Sequence, residues 1–273
     1  MGKRSLSRLR SRLWHQYVWE RQTLAQLAVR YGRSIRWVQY QLDQVTVSPT
    51  LPRPQPIVAV TDTTFFGRSY GLLVVRCPNL KRNVYWHEVR AETPPEYQRA
   101  RQVLAAQGYQ ITAAVIDGKR GVREIFEDIP VQLCQFHQMA TIRRYLTTRP
   151  KLPAGQELRA ITLALPALSE AAFSALLAEW FTRWQEFLQE RTYAPDDRHW
   201  QYTHRRLRSA YRSLHTNLPY LFTYQRYPQL KIPNTANSLD GYFARLKELL
   251  RVHRGQTIQR RYRMIQEILS HQH

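Results

Sequence analysis

The sequence predicts an α/β fold, a mixed sheet with helices packed on it, preceded by a small helical domain. Three observations carry this. The apolar runs Ile57-Val-Ala-Val-Thr-Asp62 and Ile111-Thr-Ala-Ala-Val-Ile116-Asp117 have strand length and each delivers a carboxylate. Between and after them, strand-like and helix-like stretches alternate, the order that builds a sheet covered by helices. Ahead of them, apolar residues recur at helical spacing up to Leu42, and Pro49, Pro52, Pro54 and Pro56 then crowd one short stretch.

Composition narrows the function classes. The 273 residues can bury a full core, and 41 Lys plus Arg against 20 Asp plus Glu leave a net charge of +21. Such an excess attracts polyanions, nucleic acid foremost, although charge alone also fits a ribosomal or membrane-surface role. No apolar stretch is long enough to span a bilayer and none follows the basic N-terminus, so neither a membrane span nor a secretory signal is expected. Cys77 and Cys134 are the whole cysteine content, which suits a reducing, cytoplasmic compartment.

Residues 1–48 read as a helix-turn-helix DNA-binding domain. Leu6, Leu9, Leu13 and Tyr17 mark a first helix over about 5–21. In Thr23-Leu-Ala-Gln-Leu-Ala28-Val-Arg-Tyr-Gly32-Arg-Ser-Ile-Arg-Trp-Val38, Thr23 is placed to cap a helix, Ala28 is the small packing residue and Gly32 the turn. If the next helix buries Ile35, Val38 and Leu42, then Arg33, Arg36, Gln39 and Tyr40 face outward as groove contacts. A three-helix bundle without a DNA role is the alternative. Residues 49–56 form a Pro-rich linker, since that composition excludes helix.

Over 57–149, Tyr70 to Cys77 and Asn83 to Val89 extend the sheet begun at Ile57. Thr93 to Gln107 reads as a helix with Pro94 in its first turn and Gly108 ending it. The strand ending at Asp117 follows, then a helix over about 121–127 and a short strand Val131 to Gln135. Three consecutive strands followed by alternating helix and strand is the order of an RNase H-like mixed sheet. A lone Asp in a buried strand costs several kcal/mol unless a partner or a metal offsets it, so Asp62 and Asp117 are candidate metal ligands; capping of a strand or turn is the bland reading of each. Cys134-x2-His137 is open to three readings: half of a zinc site with His199 and His204, a structural pair, or residues beside the acids.

Residues 150–233 read as an all-helical insertion, with Leu158, Phe173, Leu177 and Trp180 on apolar faces. Trp200 and Tyr202 sit amid arginines, where they suit stacking on bases. In 234–273, Leu239, Tyr242, Phe243, Leu246, Leu249 and Leu250 form one helical stripe. Asp240 lies at its edge, and Lys247 and Arg251, 7 and 11 residues later, share its side of the helix. A carboxylate beside cations suits a phosphodiester site; a salt-bridged surface helix is the alternative.

Taken together, Thr61-Asp62-Thr, Ile116-Asp117-Gly, Cys134-x2-His137 and Asn234-Thr-x-Asn237-x2-Asp240 followed by Leu250-Arg-Val-His-Arg254-Gly255 resemble the Mutator-like transposases and related bacterial insertion-sequence enzymes. The resemblance covers 57 to about 270, with four motifs in order. It implies an RNase H-like catalytic domain interrupted by a helical insertion, with Asp62, Asp117 and Asp240 as the catalytic acids binding two Mg²⁺ (or Mn²⁺) ions, and Cys134 and His137 beside them. Lys119, Arg120, Lys247, Arg251 and Arg254 join the expected DNA contacts. The implied partner is double-stranded DNA, both element ends and target, bound by a homodimer or higher assembly at the bacterial nucleoid. One departure stands out: the family's third acid is usually Glu, and Asp240 is shorter by a methylene. Two alternatives remain: a decayed or domesticated DNA-binding protein, and an RNase H-like nuclease without strand transfer.

Overall fold

The computed structural model describes residues 3–68, 70–193, 199–253 and 255–271. Three helices open the chain, α1 (Lys3–Val18), α2 (Leu24–Tyr31) and α3 (Ile35–Asp43). The strands β1 (Pro56–Phe65), β2 (Gly71–Cys77) and β3 (Arg82–Val89) follow. Then come α4 (Pro94–Ala106), β4 (Gln110–Ile116), β5 (Val131–Leu133) and α5 (Gln135–Leu146). After α6 (Pro153–Ala164) and α7 (Glu170–Gln189) come β6 (Arg191–Tyr193) and β7 (Trp200–Tyr202). Four helices close the chain: α8 (Arg205–Leu221), α9 (Thr223–Arg226), α10 (Asn237–Val252) and α11 (Ile258–Ser270). No helix among the described residues is long and apolar enough to cross a membrane.

The chain forms two compact units, one of residues 1–53, 81–84 and 239–273, the other of 54–80 and 85–238. The second is built on the five-stranded sheet, ordered β3-β2-β1-β4-β5. The β1 strand pairs antiparallel with β2 and parallel with β4, which pairs parallel with β5, so the sheet is mixed. Ile57, Val58, Ala59 and Val60 are all buried, as befits a central strand covered on both faces. Gly71 opens β2 because a Cβ there would meet the Phe65 ring at 2.7 Å.

Edge strand β5 is covered by the returning helical segment. Thr223 Oγ1 donates to the Val131 carbonyl at 2.6 Å, and the Tyr224 N–H donates to the buried Gln132 Oε1 at 3.0 Å. These contacts cover part of the edge that β5 would otherwise present to another chain.

In the helical unit, Thr23 and Gln26 make a reciprocal capping box on α2, and Gly32 ends it in the left-handed region at φ 59°. Asp43 binds both Arg260 and Arg263, with Arg260 Nη2 at 2.6 Å from Oδ2 and Arg263 Nη2 at 2.6 Å from Oδ1. Tyr17 stacks on His253 with ring centroids 3.9 Å apart.

Three expectations are corrected. Ile35 is 47% exposed, and the buried seam of α3 is Val38, Gln41 and Leu42. Ile35 is the first helical residue, its side chain leaning off the helix start, while Gln41 is held by the Arg10 Nε–H at 2.9 Å. The helix expected at 121–127 is one 3₁₀ turn, Arg123–Phe126, hemmed in by Gly121 at φ 81° and by Pro130. The region expected to be all-helical contains the β6–β7 hairpin. Its strands are three residues long, too short for a periodic signal.

Candidate active-site carboxylates on the sheet

Asp62 lies within β1, opposite Val74 of β2, and is 8% exposed. Its Oδ1 accepts the Thr63 N–H at 2.7 Å. Asp117 follows β4 directly, half-buried, and its Oδ1 accepts the Lys119 N–H at 2.8 Å. Gly118, at φ 88°, supplies the left-handed residue that lets the chain turn back there. The parallel register couples Val60 with Val115. Asp62 and Asp117 each lie two residues beyond that last pair, so the two carboxylates follow from neighbouring parallel strands, with Asp117 just past the end of β4.

β5 brings the next pair of residues. The Cys134 N–H donates to the Ile116 carbonyl at 2.8 Å, so Cys134 sits next to the strand end that carries Asp117. Its buried thiol accepts the Ala236 N–H at 3.2 Å. The neighbouring Gln135 and Asn234 pair through Asn234 Nδ2 to Gln135 Oε1 at 2.9 Å. This thiol is therefore a fastening for the 234–236 segment. His137, on the first turn of α5, has a ring nitrogen within 4.8 Å of an Asp62 carboxylate oxygen. His204 is engaged elsewhere, with Nε2 at 2.9 Å from Glu190 Oε2 and its ring stacked on Phe187.

The sequence reasoning missed Glu92, which reads as an ordinary polar residue before a helix. Its carboxyl is mostly buried, accepts the Tyr97 hydroxyl at 2.6 Å and lies 3.9 Å from Lys119 Nζ. Burial raises its pKa above the ordinary glutamate value; the Tyr97 hydrogen bond opposes this, the Asp117 charge adds to it, and Lys119 and His137 counter it. Tyr97 is 1% exposed and its hydroxyl also meets Thr63 Oγ1 at 3.4 Å. Burial, above all, and the adjacent Glu92 charge hold that phenol well above its usual pKa. A chain of contacts thus runs from Thr63, next to Asp62, through Tyr97 and Glu92 to Lys119, whose amide orients Asp117. A buried tyrosine one turn into α4 was the only signal for it in the sequence.

Of the remaining site residues, Arg120 is exposed in the loop after Asp117. Arg33, Arg36 and Tyr40 are exposed and Gln39 half-buried in the helical unit, with the Arg33 guanidinium 5.6 Å from the Trp37 ring centre. Asp240 stands in the first turn of α10, half-buried, with Lys247 and Arg251 exposed along the same helix. Among the described residues the buried Asp240 Oδ2 has no hydrogen-bond partner. Glu248 is exposed and paired with Arg21 at 2.7 Å. Arg254 lies outside the described residues. Trp200 and Tyr202 carry Arg191 and Arg208 over their rings at 3.9 and 3.5 Å, so arginines of the same chain occupy faces expected to be open to bases. Compared with known protein-family models and with curated protein sequences, the chain matches none.

Proposed function

We propose that the chain is a DNA transposase: its sheet carries an RNase H-like acid centre, and α2 and α3 form a helix-turn-helix that reads element ends. The observation that supports this most is the parallel pairing of β1 with β4, the two strands that deliver Asp62 and Asp117, with His137 close to Asp62. Asp240 of α10 is the proposed third acid. Double-stranded DNA is the proposed substrate, bound by a homodimer or higher assembly, with the +21 charge supplying its phosphate contacts.

The donor set fits divalent cations. Carboxylates suit Mg²⁺ and Mn²⁺ alike, and Asp240 Oδ2, without a partner among the described residues, is an oxygen a cation would satisfy. Asp62, Asp117 and Asp240 would hold the ions, which supply Lewis acidity for in-line phosphoryl displacement. Around them the chain fixes geometry: the Thr63 and Lys119 amides each orient one carboxylate, and Arg120 offers a charge to the backbone of the strand.

The experiment is incubation of a labelled duplex bearing the element's own end with Mg²⁺ or Mn²⁺. Wild type is expected to nick the end and join it to target DNA, while Asp62→Ala and Asp117→Ala lose cleavage and keep DNA affinity. Cleavage by either variant at more than a few percent of wild type removes the acid-centre assignment. Nicking without joined products favours a nuclease. Binding without cleavage by wild type favours a decayed copy, a reading that the shorter third acid supports.

A further inference from the structure

We infer that the groove between α5 and α6 is a stacking subsite for an unpaired nucleotide of a DNA strand, adjoining the acid centre. The inference rests on the DNA-processing reading above and adds a part that the four sequence motifs do not contain. Phe136, Met139, Ala140 and Arg143 of α5 face Arg159 and Leu163 of α6 across a cavity of about 190 Å³. On α5 these positions recur at helical spacing and form one stripe. That volume is below the range of drug-sized pockets and suits a single ring system.

Its walls have an unusual composition for solvent-exposed surface. Phe136 is 45% and Leu163 54% exposed. Beside them, Arg143 is exposed and Arg159 half-buried, and neither guanidinium has an ion-pair or side-chain hydrogen-bond partner among the described residues. Exposed aromatic surface flanked by free guanidinium groups matches a ligand with a π-face and a phosphate, which a nucleotide joins in one unit. A purely apolar partner segment would leave both cations uncompensated, and an acidic peptide would leave the aromatic face without a stacking partner.

Position decides which strand. Phe136 precedes His137, their rings edge to face at 5.8 Å, and His137 adjoins Asp62. The stripe then runs two turns along α5, about 10.5 Å from Phe136 to Arg143 at 1.5 Å per residue. A strand leaving the carboxylates along α5 therefore meets the aromatic ring first and the arginines next. Base stacking on Phe136 would hold a frayed nucleotide beside the scissile phosphate.

The test is equilibrium binding of a short fluorescein-labelled oligothymidylate and of a duplex of equal length, as a function of salt. Phe136→Ala is expected to weaken the single strand roughly 5- to 160-fold with an unchanged salt slope, and to change duplex affinity by less than about twofold. Arg159→Gln should lower the slope of log K against log salt by about 0.7, the value for one lost phosphate contact on a single strand. Phe136→Trp should keep the affinity and have its fluorescence quenched by the oligonucleotide. Both positions are solvent-accessible, and the Trp variant separates lost stacking from lost folding. Unchanged single-strand affinity in Phe136→Ala, or no quenching in Phe136→Trp, overturns the subsite while leaving the transposase reading standing. Failure of the wild type to bind either probe overturns both.

Discussion

Replacing Tyr97 by Phe removes one oxygen from a fully buried position and interrupts the link between Thr63, next to Asp62, and the Glu92–Lys119 pair beside Asp117. The hydroxyl donates to Glu92 at 2.6 Å, and a hydrogen bond to a charged group contributes about 1.5–3 kcal/mol. Tyr97 is 1% exposed, so water does not replace the lost donor. At about 2–4 °C per kcal/mol for a chain of this size, the melting temperature should fall by roughly 3–12 °C at neutral pH. The effect carries a pH signature. The Tyr97 bond lowers the Glu92 pKa against the burial that raises it, so the variant's Glu92 titrates higher still. The stability gap between wild type and variant is therefore full above the Glu92 titration and shrinks as pH falls through it. Calorimetric unfolding at alkaline and acid pH measures this directly. A gap below about 0.5 kcal/mol at alkaline pH, or one that does not change on acidification, would refute a charge-assisted Tyr97–Glu92 bond.

Three further outcomes are expected. His253, stacked on Tyr17, has its pKa lowered to about 4 by burial, with the Arg260 charge adding to this against a hydrogen bond that its ring donates to the Tyr17 backbone. The folded state thus resists its protonation, and wild type should lose stability as pH falls from about 6.5 to about 4, by at most about 3 kcal/mol; His253→Phe, which keeps the ring contact, should flatten that part of the profile, and an unflattened profile would assign it to other groups. Asp43→Ala strands Arg260, whose side chain is 3% exposed, and should destabilise by about 3 kcal/mol in chemical denaturation, whereas a loss under about 1 kcal/mol would show the pair to be solvated. Asp240→Asn should abolish cleavage and weaken Mn²⁺ binding measured by calorimetry, while Glu248→Gln, altering only the exposed Arg21 pair, should keep most activity; full activity in Asp240→Asn removes it from the acid set.

What could be read from the sequence was local. The Thr23 cap, the Gly32 turn and the buried run before Asp62 depend on neighbours within a few residues, so type and spacing suffice to find them. The order of strands around α4 followed from the same periodicity. Asp62 and Asp117 stood out because a carboxylate in or at the end of an apolar strand is costly wherever the strand is buried.

What the tertiary structure alone decided involves residues distant in the chain or too few to make a pattern. Asp43 meets Arg260 across 217 positions, and Gln132 meets the Tyr224 amide across 92; no periodicity encodes such pairs. The β6–β7 strands, three residues each, fall below the length at which alternation is detectable. Ile35 looked like core by spacing, yet Gln41 took the buried place because Arg10 of α1 offered it a hydrogen bond. Glu92 is polar, precedes a helix and reads as solvated. Only packing of α4 on the sheet brings Tyr97 over it and Lys119 beside it, and so turns it into part of the carboxylate cluster. The reason is physical: a charge acquires its properties from the groups that desolvate and pair with it, and those groups are selected by the fold.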